Sequence, residues 1–126
     1  MEQTKQSTIL VVDDDEFNLK LLNKMLSIEG HAVRTAASGD AALTSVAEQL
    51  PDLILLDVMM PGLDGFEVTR RLKADARTRS IPIIMVTALE DQESRRKGLE
   101  TGAADFLTKP VNRAELQMRV KSLLKR

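Results

Sequence analysis

The sequence predicts an α/β protein built on a doubly wound, five-stranded parallel sheet with five helices. Three observations carry that expectation. Four short apolar runs, Ile9-Leu10-Val11-Val12, Leu53-Ile54-Leu55-Leu56, Ile83-Ile84-Met85-Val86 and Phe106-Leu107, are too short for helices, and the first three are dominated by Val, Ile and Leu without alternation. Such runs read as strands buried on both faces. They alternate with segments whose apolar residues recur at helical spacing, the pattern of strand–helix–strand units with right-handed crossovers. Each run also ends in polar groups: Asp13-Asp14, Asp57, Thr87 and Thr108-Lys109. Open parallel sheets build their sites just past the C-terminal ends of their strands.

Taken in order, a polar tail of residues 1–7, expected to be flexible, leads into the first strand, and residues 8–126 form one domain. Phe17, Leu21, Met25 and Ile28 mark the apolar stripe of a first helix, stopped at Gly30-His31, where glycine commonly ends a helix. Ala32–Ala36 is a more polar strand, suited to a sheet edge. Ala42, Val46 and Leu50 give a second helical stripe, stopped by Pro51. The third strand ends at Asp57 and runs into the loop Met60-Pro61-Gly62-Leu63. Asp64 with Glu67 has capping-box spacing, and Phe66, Thr69 and Leu72 continue that helix. The fourth strand follows Pro82. A helix from about Asp91 to Thr101 has little apolar content besides Leu99, so it should be loosely held. After the fifth strand and Lys109-Pro110, Asn112 with Glu115 suggests another cap. Leu116, Val120, Leu123 and Leu124 then form the stripe of a last helix.

The composition narrows the function. A chain of 126 residues buries one real core. A net charge of -1 with no basic run provides no field for nucleic acid. No stretch approaches the roughly 20 apolar residues of a membrane span, and the N-terminus lacks the apolar core of a signal peptide. The absence of Cys rules out disulfides and thiolate metal sites and fits a cytoplasmic protein. With neither Trp nor Tyr and three Phe, stacking platforms for bases or flavin are not expected.

In the flavodoxin-like order 2-1-3-4-5 the first and third strands are neighbours, so Asp13, Asp14 and Asp57 would crowd together at the switch point. Like charges that close are costly unless a cation neutralises them or a pKa rises. An oxygen-only cluster suits a hard cation, Mg²⁺ or Mn²⁺, and Mg²⁺ typically joins one or two carboxylates to a phosphate.

These pieces in this order resemble the receiver domain of two-component response regulators: Val12-Asp13-Asp14, Leu56-Asp57-Val58-Met59-Met60-Pro61-Gly62-Leu63-Asp64-Gly65, Val86-Thr87-Ala88 and Thr108-Lys109-Pro110. Any one piece is weak, but four at these separations are specific, and the match runs from Thr8 to about Leu124. The resemblance implies a signalling phospho-acceptor rather than a turnover enzyme. Asp57 would take a phosphoryl group from a phosphohistidine on a sensor histidine kinase or phosphotransfer protein and later lose it slowly by autodephosphorylation. It further implies that Asp14, Asp57 and the Met59 backbone carbonyl ligate Mg²⁺, with Asp13 acting largely through water. Thr87 and Lys109 would contact the phosphoryl oxygens, and Pro110 would follow a cis peptide. Thr87 and Phe106 would act as the switch, with Phe at the aromatic position working by packing alone. Met59 and Leu89, both apolar, would flank the phosphoryl site and bear on its lifetime. The fourth helix, fifth strand and fifth helix, carrying Arg95, Arg96, Lys97, Asp105, Arg119 and Lys121, would form a phosphorylation-dependent homodimer face.

Other residues read more plainly: Asp15 as a helix cap, His31 as a surface residue, Met59-Met60 as packing and loop structure. Three rival classes share parts of the pattern. A dehalogenase-type phosphatase would use Asp13-Asp14-Asp15, but the chain is short and no acidic pair follows Lys109. A flavin carrier lacks its phosphate loop, and an unphosphorylated interaction module would not need the acid, Thr and Lys set. The run from Asp57 to Val68 resembles stand-alone receivers and also receivers joined to cyclic-di-GMP enzymes or hybrid kinases.

Overall fold

The computed structural model describes residues 6–88 and 92–124. Strands and helices alternate as β1 (Thr8–Val12), α1 (Glu16–Ile28), β2 (Ala32–Ala36), α2 (Gly39–Glu48), β3 (Leu53–Asp57), α3 (Gly65–Ala74), β4 (Ile83–Thr87), α4 (Gln92–Thr101), β5 (Asp105–Thr108) and α5 (Arg113–Leu124). The strands form one sheet in the order β2-β1-β3-β4-β5, and every pairing is parallel. This is the doubly wound, flavodoxin-like arrangement that the sequence predicts.

The strands' two-residue period divides the core into two layers. On one side Leu10, Val12, Ile54, Leu56, Ile83, Met85 and Phe106 meet Val46 of α2 and Phe66, Val68 and Leu72 of α3. On the other, Ile9, Val11, Leu53, Leu55, Ile84, Val86 and Leu107 meet Leu22 and Leu26 of α1 and Leu116 and Val120 of α5. Strands β3 and β4 are buried at every position. Strand β2 is half-buried at the edge, where its polar composition places it. There Arg34 reaches back to cap α2, donating to the Ser45 and Gln49 carbonyls at 3.1 and 2.7 Å.

The capping residues hold the starts of three helices. The Asp15, Asp64 and Asn112 side chains each accept a backbone N–H, from Phe17, Glu67 and Glu115, at 2.9 Å. The box at Asp64 is only half made, because the Glu67 carboxylate accepts from Arg70 and Arg71 instead. Gly30 ends α1 at φ +93°, a conformation costly to residues with a Cβ.

Four sequence expectations need correction. The stripe chosen for α1 faces mostly outward: Phe17, Leu21 and Ile28 are 71%, 38% and 58% exposed, while Leu22 and Leu26 are buried. That helix has apolar residues on two sides, so periodicity alone offers two faces and the geometry of the preceding loop selects one. Leu50 lies past the end of α2 and is exposed. On α4, Leu99 is exposed, and the buried residue is Gly98. Gln6 and Ser7, assigned to the tail, are held by hydrogen bonds: Gln6 donates to the Gly30 carbonyl and Ala32 N–H to the Ser7 carbonyl. Leu89 and the expected helix start at Asp91 lie outside the described residues.

Candidate functional site

The sheet register assembles the site. Val12 of β1 pairs with Leu56 of β3, so Asp13 and Asp57 emerge side by side at the C-terminal edge. Asp57 pairs with Val86 of β4, and Thr87 pairs with Thr108 of β5, which delivers Lys109 to the same edge. A hydrogen bond of 2.8 Å from Lys109 N–H to the Thr87 carbonyl fixes that end of the chain. The Lys109–Pro110 peptide is cis.

Asp13, Asp57 and Thr87 are buried, Lys109 is half-buried and Asp14 is exposed. The Lys109 ammonium sits 3.1 Å from Asp13 Oδ2 and 3.3 Å from Asp57 Oδ1. Asp13 Oδ1 accepts the Asp15 backbone N–H at 2.9 Å, which orients that carboxylate. Apart from the Lys109 ion pair, the buried Asp13 Oδ2 has no hydrogen-bond partner. One carboxylate oxygen from each of Asp13, Asp14 and Asp57 lies within 4.8 Å of the others. Burial first, and then the Asp13 charge, push the Asp57 carboxyl up to about 6, against the opposing pull of Lys109 and the Met59 N–H. Burial works against the charged form of Lys109, but its pairing with the two carboxylates prevails and raises its pKa.

The donor set fits a hard divalent cation. Three converging carboxylates, without His or Cys, offer oxygen ligands alone. One ammonium for three carboxylates leaves a net negative pocket mouth, in which a phosphoryl group alone would be repelled. Met59 is exposed beside Asp57. Phe106 lies away from the acids, buried in the layer under α4.

The model of the response regulator receiver domain matches residues 9–121. The chain belongs to that family. Receiver-domain relatives include the response regulator PleD of Caulobacter vibrioides, 55% identical over 91% of this chain and 25% of that protein. The transcriptional regulatory protein AfsQ1 of Streptomyces coelicolor is 45% identical over 94% of this chain and 52% of its own length. The chain thus spans a quarter to a half of these curated relatives. Among solved structures, the chemotaxis protein CheY4 of Vibrio cholerae superposes with a TM-score of 0.91 at 30% identity, covering 95% of this chain and 100% of that one. The receiver fold and its place in two-component signalling are therefore shared with this chain.

The structure adds one residue to this receiver site that the sequence reading passed over. A Cβ at Gly65 would lie 2.6 Å from the Asp57 carbonyl oxygen and 2.8 Å from Val58 Cα. The Gly65 N–H also donates to the Val58 carbonyl at 2.9 Å. Gly65 lets α3 begin directly against the backbone of Asp57 and Val58. The signal was available in the Asp64-Gly65 pair, although a glycine after a cap reads first as turn chemistry.

Proposed function

We propose that this chain is the phospho-accepting module of a two-component phosphorelay, with Asp57 as the acceptor. The observation that carries the reading is the Asp57 carboxylate, buried, joined to Lys109 and flanked by Asp13 and Asp14. An Asp57 oxygen attacks the phosphorus of a phosphohistidine on a kinase or phosphotransfer protein. The phosphorus–nitrogen bond breaks, its electrons return to the imidazole, and an acyl phosphate remains. Lys109 holds the nucleophile and then faces a phosphoryl oxygen, while Thr87, at the end of β4, contributes its hydroxyl to another. Water later hydrolyses the acyl phosphate, and the module resets. On this reading the chain is a switch rather than a turnover enzyme, and it acts in the cytoplasm.

Asp14, Asp57 and the Met59 carbonyl would hold Mg²⁺ or Mn²⁺, with Asp13 acting through water. When bound, that cation supplies the positive charge that lets two anions approach. Asp13 keeps Lys109 in place from the other side. The direct test uses acetyl phosphate as donor. Intact mass should rise by one phosphoryl group only with Mg²⁺ present, and Asp14→Ala should lose that dependence together with the modification. Normal Mg²⁺-dependent labelling of Asp14→Ala would remove Asp14 from the ligand set.

For output, Thr87 and Phe106 form the relay. They lie on adjacent strands, and because Met85 pairs with Phe106, Thr87 stands two residues further along the same side of the sheet. The face of α4, β5 and α5 would then mediate a phosphorylation-dependent homodimer.

A further inference from the structure

Helix α4 contributes no buried apolar side chain to the core. Its only buried position is Gly98. The side chain filling the space beneath belongs to Phe106 of β5, itself 5% exposed. A Cβ built at Gly98 would overlap Phe106 Cζ and lie 2.5 Å from Cε1 and 2.9 Å from Met85 Sδ, where ordinary contact begins near 3.4 Å. Two cations close over neighbouring rings beside this seat: Arg95 lies 5.5 Å from the Phe106 centroid, and Lys97 lies 4.7 Å from that of Phe66 on α3.

We propose that Gly98 is the positioning residue that ties the Phe106 ring to the placement of α4. The ring occupies the volume that any side chain at position 98 would need, so helix seat and ring position are one choice. A planar ring cannot bend away from a Cβ; it must swing out about its own side-chain torsions, or the helix must lift. Conversely, a ring that leaves this pocket opens a gap under Gly98 that no side chain of α4 fills, and it also withdraws the platform under Arg95. The helix then loses both its seat and one of its two cation–ring clamps. Lys97 on Phe66 remains, which makes the α3 side the hinge of any such movement.

The Thr87–Phe106 relay proposed above supplies only the origin of the signal. The coupling at Gly98 is a property of the unphosphorylated chain and is tested there, so failure of either leaves the other standing.

The experiment is amide hydrogen exchange across residues 92–101 of the whole chain, without phosphoryl donor, in wild type, Gly98→Ala, Phe106→Ala and the double variant. Alanine favours a helix over glycine, so an open seat would slow exchange roughly fivefold. The proposal predicts the opposite sign: Gly98→Ala speeds exchange about tenfold in the wild-type background and slows it when Phe106 is Ala. Slower exchange in Gly98→Ala, or the same acceleration in both backgrounds, overturns the proposal. If Gly98→Ala does not fold, folding of the double variant supports it and failure of the double variant overturns it. Fluorophenylalanine labelling reads the ring itself: the ¹⁹F resonance lost in Phe106→Ala should move in Gly98→Ala, and an unmoved resonance contradicts the coupling.

Discussion

Lys109 Nζ stands 3.3 Å from Asp57 Oδ1, a pairing that joins the third strand to the loop after the fifth across the intervening β4. The Thr87 carbonyl holds the Lys109 backbone in that position. Because hydrogen bonds to charged groups contribute about 1.5–3 kcal/mol, Lys109→Ala should slow phosphorylation from acetyl phosphate on the order of ten- to a hundredfold. Lys109→Arg should not restore the rate, since a planar fork does not reproduce a compact ammonium between two carboxylates. Time courses of intact mass decide this, and a wild-type rate in Lys109→Ala would exclude the role.

The pH dependence of stability follows from Asp57. Its carboxyl titrates at about 6 in the folded protein, against 3.8 ordinarily. Between these values the folded state binds a proton that the unfolded chain has released, so this group's contribution to stability falls as pH rises from about 4 to 6. The full penalty stands above pH 6. At 1.36 kcal/mol per pH unit the limit is about 3 kcal/mol; relaxation of the protein around the ionised carboxylate reduces this to the order of 1–2 kcal/mol. Asp57→Asn should therefore be more stable than wild type at pH 7.5 without divalent cations, by that amount, and the difference should vanish near pH 4. Urea denaturation at the two pH values measures it. An Asn variant less stable than wild type at pH 7.5 would mean that Lys109 outweighs burial and Asp13.

The sequence made the sheet and the acid cluster legible because both depend on local pattern. An uninterrupted apolar run such as Leu53–Leu56 has few alternatives to a buried strand, and polar residues at the ends of such runs have few places to go. The caps at Asp15, Asp64 and Asn112 were readable for the same reason: their chemistry lies within three residues. What depended on packing was not readable. Helix α1 has Leu22 and Leu26 on one side and Phe17, Leu21 and Ile28 on the other, and both sets satisfy helical spacing. Leu99 was the apolar residue of α4, yet burial fell to Gly98, because the volume there is filled from β5 by Phe106. No periodicity reports a contact made by the absence of a side chain.

Part of the charge on the proposed dimer face is already paired within the chain. Arg119 sits 3.0 Å from Asp105 and 3.4 Å from Glu115, and Arg96 bridges Glu93 and Glu100. A symmetric dimer through α4, β5 and α5 must draw these pairs into contacts between copies. Sedimentation velocity with beryllofluoride and Mg²⁺ should show a shift from monomer to dimer that Arg119→Glu abolishes, because the reversed charge repels both acids. An unchanged mass on activation would leave this face without that role.

Whether Asp57 accepts the phosphoryl group is decided by following that group from a phosphohistidine donor. A ³²P-labelled histidine kinase or phosphotransfer protein is mixed with the chain and Mg²⁺, and the label is mapped on both. The account predicts that label leaves the donor and appears on this chain as a base-labile acyl phosphate at Asp57, and that Asp57→Asn receives none although its fold is intact. Label of unchanged amount on Asp57→Asn, or on another residue of the wild type such as Asp13, would contradict it.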